Sequence, residues 1–115
     1  MTALALPVHA QVNYPAELQG IWTTGKVNQC KKDSKAPPGQ GAIILNFKGK
    51  NLTHGESDCT ATNIKGSSGN YAITSKCEGE GETWKNKTTY KVEGSNLTWT
   101  QDGETMKFKK CHPMK

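Results

Sequence analysis

The sequence predicts an all-β fold: a small antiparallel meander of about eight short strands that closes into an up-and-down barrel. Three observations carry this expectation. Short runs of alternating apolar and polar residues follow one another closely, each bounded by a turn signal such as Gly49-Lys50-Asn51, Glu93-Gly94-Ser95-Asn96 or Asp102-Gly103. No stretch repeats its apolar residues at helical spacing. Only 33% of the 115 residues are hydrophobic, and four are cysteines, so the thin core calls for covalent help.

The start of the chain, Leu4-Ala5-Leu6-Pro7-Val8-His9-Ala10, reads as the end of an apolar signal core and a loose small-x-small cleavage site. Residues 1–10 are therefore expected to be the remnant of a signal peptide. Residues 11–115 form a single domain, exported to the periplasm or secreted. Export agrees with an even cysteine count in a short chain, which reads as disulfides.

Strand signals then run in order. The first covers Gln19 to Val27, with Ile21 and Trp22, and a polar loop from Lys31 to Gln40 follows. Ala42 to Lys48 alternates Ile43, Leu45 and Phe47 with Ile44, Asn46 and Lys48. After Gly49-Lys50-Asn51 come Leu52 to His54 and Glu56 to Lys65. The turn Gly66-Ser67-Ser68-Gly69-Asn70 leads into Tyr71, Ile73 and Ser75, ending at Cys77. Glu82 to Val92 is the longest run, with Trp84, Asn86, Thr88, Tyr90 and Val92 on one face. Leu97, Trp99 and Gln101 follow, and after Asp102-Gly103 come Met106 and Phe108.

Hairpin arithmetic narrows the three cysteine pairings. Residues facing each other across the Ser-Gly turn have numbers summing to about 136, which sets Cys59 opposite Cys77. Cys30 is left for Cys111, joining the first strand to the last, as closure of a barrel requires. The same register puts Ile64 and Ile73 on opposite faces, which leaves room for a bulge or a one-residue slip.

Gly20-Ile21-Trp22 is similar to the Gly-x-Trp of lipocalins and avidins, a likeness that implies a lipocalin-like, ligand-binding barrel. The later pattern Gly55-Glu56-Ser57-Asp58-Cys59, Cys77-Glu78-Gly79-Glu80-Gly81-Glu82-Thr83-Trp84 and Lys109-Lys110-Cys111 resembles small exported proteins of alphaproteobacteria, a group that brings a periplasmic setting and no activity. Periplasmic lysozyme inhibitors, small disulfide-bonded barrels, are a third comparison; their inhibitory loops have no clear match, and a net charge of +5 does not favour a basic partner.

Function classes divide unevenly. There is no Gly-x-Ser-x-Gly elbow, phosphate loop or His-Glu-x-x-His, and His54 and His112 read as surface residues, so no enzyme is expected and no catalytic residue is named. No cofactor is called for, and no metal, since no histidine stands at zinc-ligand spacing from two cysteines. Every basic residue is lysine, which argues against a nucleic-acid reader, and no run is long and apolar enough to span a membrane as a helix. Glu78, Glu80 and Glu82 alternate with glycine and would share one face of a strand, as a solvated face ahead of an acid/base pair or a cation site. Asn51, Asn86 and Asn96 begin Asn-x-Thr sequons, which matter only in a eukaryotic secretory context.

What remains is binding by a monomer. The first expectation is a small apolar or sugar-like ligand in the barrel, held by Trp22, Trp84, Trp99, Tyr71 and Tyr90. The same rings are also what a chain poor in aliphatics needs to fill its core. The alternative is a protein-interaction module, such as an inhibitor of a cell-wall or host enzyme, presenting the Lys31–Gln40 loop. A further alternative is a binder of an anionic envelope polymer through lysines such as Lys85, Lys87, Lys107 and Lys109.

Overall fold

The computed structural model describes residues 12–27 and 43–111. A short 3-10 turn, Ala16–Leu18, precedes eight strands: β1 (Gly20–Thr23), β2 (Ile44–Lys48), β3 (Asn51–His54), β4 (Ser57–Ser67), β5 (Asn70–Gly79), β6 (Glu82–Glu93), β7 (Asn96–Gln101) and β8 (Glu104–Lys110). Each strand pairs antiparallel with the next, and β8 pairs with β1, so the sheet is a closed barrel. The first strand ends at Thr23 rather than Val27 because the chain bends there, with the Thr23 hydroxyl accepting a hydrogen bond from the Gly25 N–H.

Turn chemistry sets the meander. All six hairpins from β2 to β8 close with two residues. Gly49, Gly55 and Gly94 take the first turn position with positive φ, and the pairs Ser68-Gly69, Glu80-Gly81 and Asp102-Gly103 have positive φ at both positions. These are the φ signatures of the primed turns whose twist matches paired strands. Gly69 has a second reason to be glycine: an added Cβ would lie 2.6 Å from the Val92 carbonyl oxygen, which packs over the turn.

Cys59 faces Cys77 and is bonded to it, at the register the turn arithmetic requires. Ile64 also faces Ile73, because the register shifts by one residue between Ala61 and Asn63. The extra residue, Thr62, is a bulge that reconciles the two expectations, and its hydroxyl donates to the Thr74 carbonyl. The Cys59–Cys77 bond is the one disulfide with both ends among the described residues; the second expected pair, Cys30–Cys111, reaches Cys30, which lies outside them, as do the 1–10 segment and the Lys31–Gln40 loop.

The inward-facing residues make one core, including Trp22, Leu45, Phe47, Ile73, Leu97 and Phe108, all but fully buried. One end of the barrel, where β1 begins and β4 turns into β5, is capped by the segment before β1. Tyr14 and Leu18 enter the core from it, at 1% and 0% exposure. The Tyr14 ring meets Phe47 edge-on at 4.9 Å, Phe47 meets Tyr90 at 5.6 Å, and the Tyr14 hydroxyl lies 2.7 Å from Ser75 Oγ. Trp22 donates its indole N–H to the Leu18 carbonyl, and the Gln19 side-chain amide bridges Tyr14 and the Gly49 turn. Glu17 accepts hydrogen bonds from the Gly69 N–H and the Tyr71 hydroxyl, fastening the cap to the β4–β5 turn. Among the described residues, no buried side-chain nitrogen or oxygen lacks a partner, as a fold this poor in apolar residues requires.

Candidate functional site

The other end of the barrel is chemically different. β6 pairs with β5 from Glu82 to Lys91 but with β7 only from Thr89 onward, so Glu82–Thr88 overhangs that end as the free edge of an arm that continues through β5 into β4. Inward alternation continues along the arm, and there it carries polar side chains: Asn86 is half-buried and Thr88 buried. Thr88 donates to the Gln101 side-chain oxygen at 2.7 Å, and the Asn86 amide points at Cys77 Sγ at 3.4 Å. The lumen is thus aromatic and aliphatic at the capped end and hydroxyl- and amide-lined towards the overhanging end. Met106 and His54 add half-buried side chains on the inner face.

Trp84 is the exposed aromatic of this end, at 37% of its surface. It shares a face with Thr88, Tyr90 and Val92 as the alternation requires, but it lies on the arm, beyond the last residue of β6 that pairs with β7. It stands across the ladder from Cys77, so the Cys59–Cys77 bond braces the strand pair beneath it. A Cβ on Gly79 would sit 3.4 Å from the Trp84 ring, 3.2 Å from Ser57 Oγ and 3.3 Å from the Glu56 carbonyl oxygen, so Gly79 lets the ring approach the β5 backbone closely.

The five aromatics named from the sequence therefore do different things. Trp22, Trp99 and Tyr90 belong to the core, at 0%, 7% and 2% exposure. Tyr71 packs against the core's edge with its hydroxyl on Glu17 at the capped end. Of the five, only Trp84 is exposed, and it lies at the overhanging end. Tyr14, the ring that closes the other end, was missed: its signal was the apolar alternation of Val12 and Tyr14 just before Pro15, hidden by its nearness to the leader-like residues.

The acidic run also resolves differently from its expected single face. Glu78 points outward from β5, Glu80 occupies a turn with φ 51°, and Glu82 starts β6. The hairpin folds the run back on itself, and these carboxylates line an open cleft of about 410 Å³ with Glu56, Asp58, Gly79, Gly81 and Thr83. Among the described residues, no group of carboxylates, histidines and cysteines converges as a metal would need.

Titration follows burial. Burial pulls His54 below the ordinary histidine range, so at neutral pH it is a neutral imidazole. Burial pushes the Tyr14 phenol up, against a smaller downward effect of its Ser75 hydrogen bond. Tyr90 is raised further, by burial first and then by its neighbour Tyr14. The Lys110 ammonium sits 4.7 Å above the Trp22 ring and donates to the Gln19 carbonyl, and partial burial lowers its pKa.

No family model matches the chain, and neither a curated protein nor a solved structure matches it.

Proposed function

We propose that this is an exported, non-enzymatic binding protein that holds a small sugar-like ligand at the overhanging end of its barrel. The observation that carries the reading is Trp84. A partly exposed indole shares its strand face with the Asn86 amide and with the Thr88 hydroxyl, which is hydrogen-bonded to Gln101. A saccharide has that same duality, an apolar ring face and a rim of hydroxyls, and an aromatic platform with a few fixed polar groups suits it. Trp22, Tyr90 and Trp99 then serve as the packed wall behind the site, and Tyr71 as part of its distant support.

The test is a titration of isotope-labelled protein with a panel of neutral oligosaccharides, followed by NMR. The indole N–H of Trp84 and the side-chain amides of Asn86 and Gln101 should shift together, and Trp84→Ala should abolish the response while the barrel's amide spectrum persists. Shifts confined to other surfaces, or an unaltered response in Trp84→Ala, would defeat the assignment.

A second reading rests on the acidic cleft next to Trp84. Its five acidic side chains reverse the sign of the +5 chain locally, so a basic protein partner, such as a cell-wall or host enzyme, finds complementary charge there. Pull-down of a basic protein that is lost in Glu78→Gln/Glu82→Gln, with the saccharide response intact, would favour it.

A further inference from the structure

We infer that the outer wall of β5, β6 and β8 is a second, independent binding surface, fitted to a linear anionic polysaccharide. Lys76, Lys85, Lys87, Lys91, Lys107 and Lys109 all point outward from these strands and are exposed. The ladders place them in order. Lys76 stands directly opposite Lys85, and Lys91 and Lys107 flank Thr98 of β7 in one row. Adjacent strands lie about 4.8 Å apart and alternate residues about 6.7 Å apart, so the charges form two groups, Lys76, Lys85 and Lys87 on one side of the Thr89 row and Lys91, Lys107 and Lys109 on the other.

Two features separate this wall from lysine used merely for solubility. Directly opposed like charges on neighbouring strands destabilise a sheet, yet Lys76 and Lys85 face each other with no ion pair. Among the described residues the one ion pair in reach is Lys91–Glu93, 3.9 Å long with both side chains mostly exposed, at the wall's edge; such a pair contributes little. Outward acids occur only at the two ends of these strands, Glu78 and Glu93, and none lies between them. The wall therefore carries a positive field left for an outside partner to neutralise.

Between the lysines run hydroxyls. Thr89, Thr100 and Thr105 face one another across three strands, with the Thr100 and Thr105 hydroxyls 3.3 Å apart. Two groups of charge with a row of hydroxyl donors and acceptors between them suit a chain of uronic-acid sugars, whose carboxylates meet the ammonium groups while their hydroxyls meet threonine. The wall has no exposed aliphatic or aromatic anchor to enter a bilayer, and no arginine or stacking ring to read a nucleic acid.

The test uses purified alginate as probe and the full-length protein. Binding should be measured by calorimetry, and its affinity should fall steeply between about 20 mM and about 200 mM salt. Lys85→Gln/Lys87→Gln/Lys107→Gln should weaken low-salt binding at least about tenfold. Lys48→Gln/Lys50→Gln/Lys65→Gln removes the same charge elsewhere and should stay within about threefold of wild type. Thermal melts of both variants should match wild type, since these side chains are exposed. Equal losses in the two variants, salt-insensitive binding, or tighter binding to anionic phospholipid vesicles or duplex DNA than to alginate would overturn the inference. Because the wall and the Trp84 site face different ways, Trp84→Ala should leave alginate binding intact.

Discussion

Removing the hydroxyl of Tyr14 tests how the capped end is held. Tyr14 is 1% exposed and Ser75 6% exposed, and their hydroxyls are 2.7 Å apart with 61 residues of chain between them. Tyr14→Phe leaves the aromatic stack on Phe47 intact but strands Ser75 Oγ in the core. An orphaned buried hydroxyl costs about 1–3 kcal/mol, more than the net worth of the bond itself. Ser75→Ala strands the tyrosine hydroxyl and should cost a similar amount. With both groups gone nothing polar is left unpaired, so the double variant should cost much less than the sum, with a coupling of about 1–2 kcal/mol. Urea denaturation followed by tryptophan fluorescence reads this directly, because Trp22 and Trp99 report on the same core; unchanged m-values would show that midpoint shifts are stability shifts. Strict additivity of the two substitutions would refute the claim that this hydrogen bond ties the cap to the barrel.

Other outcomes follow from the same geometry. Cys59→Ala/Cys77→Ala opens a loop of sequence separation 18 and should cost about 3 kcal/mol in the same denaturation experiment; no change would mean that the hairpin register alone holds the strands. Gly66 has φ 112°, and a Cβ there would overlap the Asn70 carbonyl, so Gly66→Ala should lose at least about 2 kcal/mol, whereas Gly103→Ala, with open space around it, should lose less. Tyr14 and Tyr90 have folded pKa values above their ordinary value of 10.0, so their contribution is complete below that pH and drains away as pH rises past it. A denaturation midpoint that stays flat between pH 9 and pH 11 would contradict this, against about 10 as the unfolded value. His54 is shifted the other way: its stabilising contribution is present above 6.5 and is lost as pH falls below it, and His54→Gln should flatten that slope.

Much of the fold is legible because turn chemistry is local. Asp102-Gly103 and Gly49-Lys50 specify two-residue hairpins whatever surrounds them, and the sum rule across the Ser68-Gly69 turn locates Cys59 against Cys77. The bulge at Thr62 was legible only as a conflict: two cross-strand contacts wanted registers one residue apart, and a single extra residue satisfies both. The candidate site was harder. Period-two alternation says that Trp84 shares a face with Tyr90, but not that β7 stops short and leaves Trp84 uncovered, because the length over which β6 and β7 pair depends on how the barrel closes. The acidic run failed for a similar reason. Glu78, Glu80 and Glu82 read as one strand until Glu80-Gly81 takes the positive-φ turn that splits them between two strands.

The most direct measurement of the central claim is a native mass spectrum of the protein recovered from its own producer's secreted or periplasmic fraction, beside the Trp84→Ala variant prepared the same way. A discrete small added mass on the wild type, released by denaturation and missing from the variant, is the result expected of a ligand held at Trp84. A bare mass for both proteins, or the same added mass on both, would contradict a ligand site built on that ring.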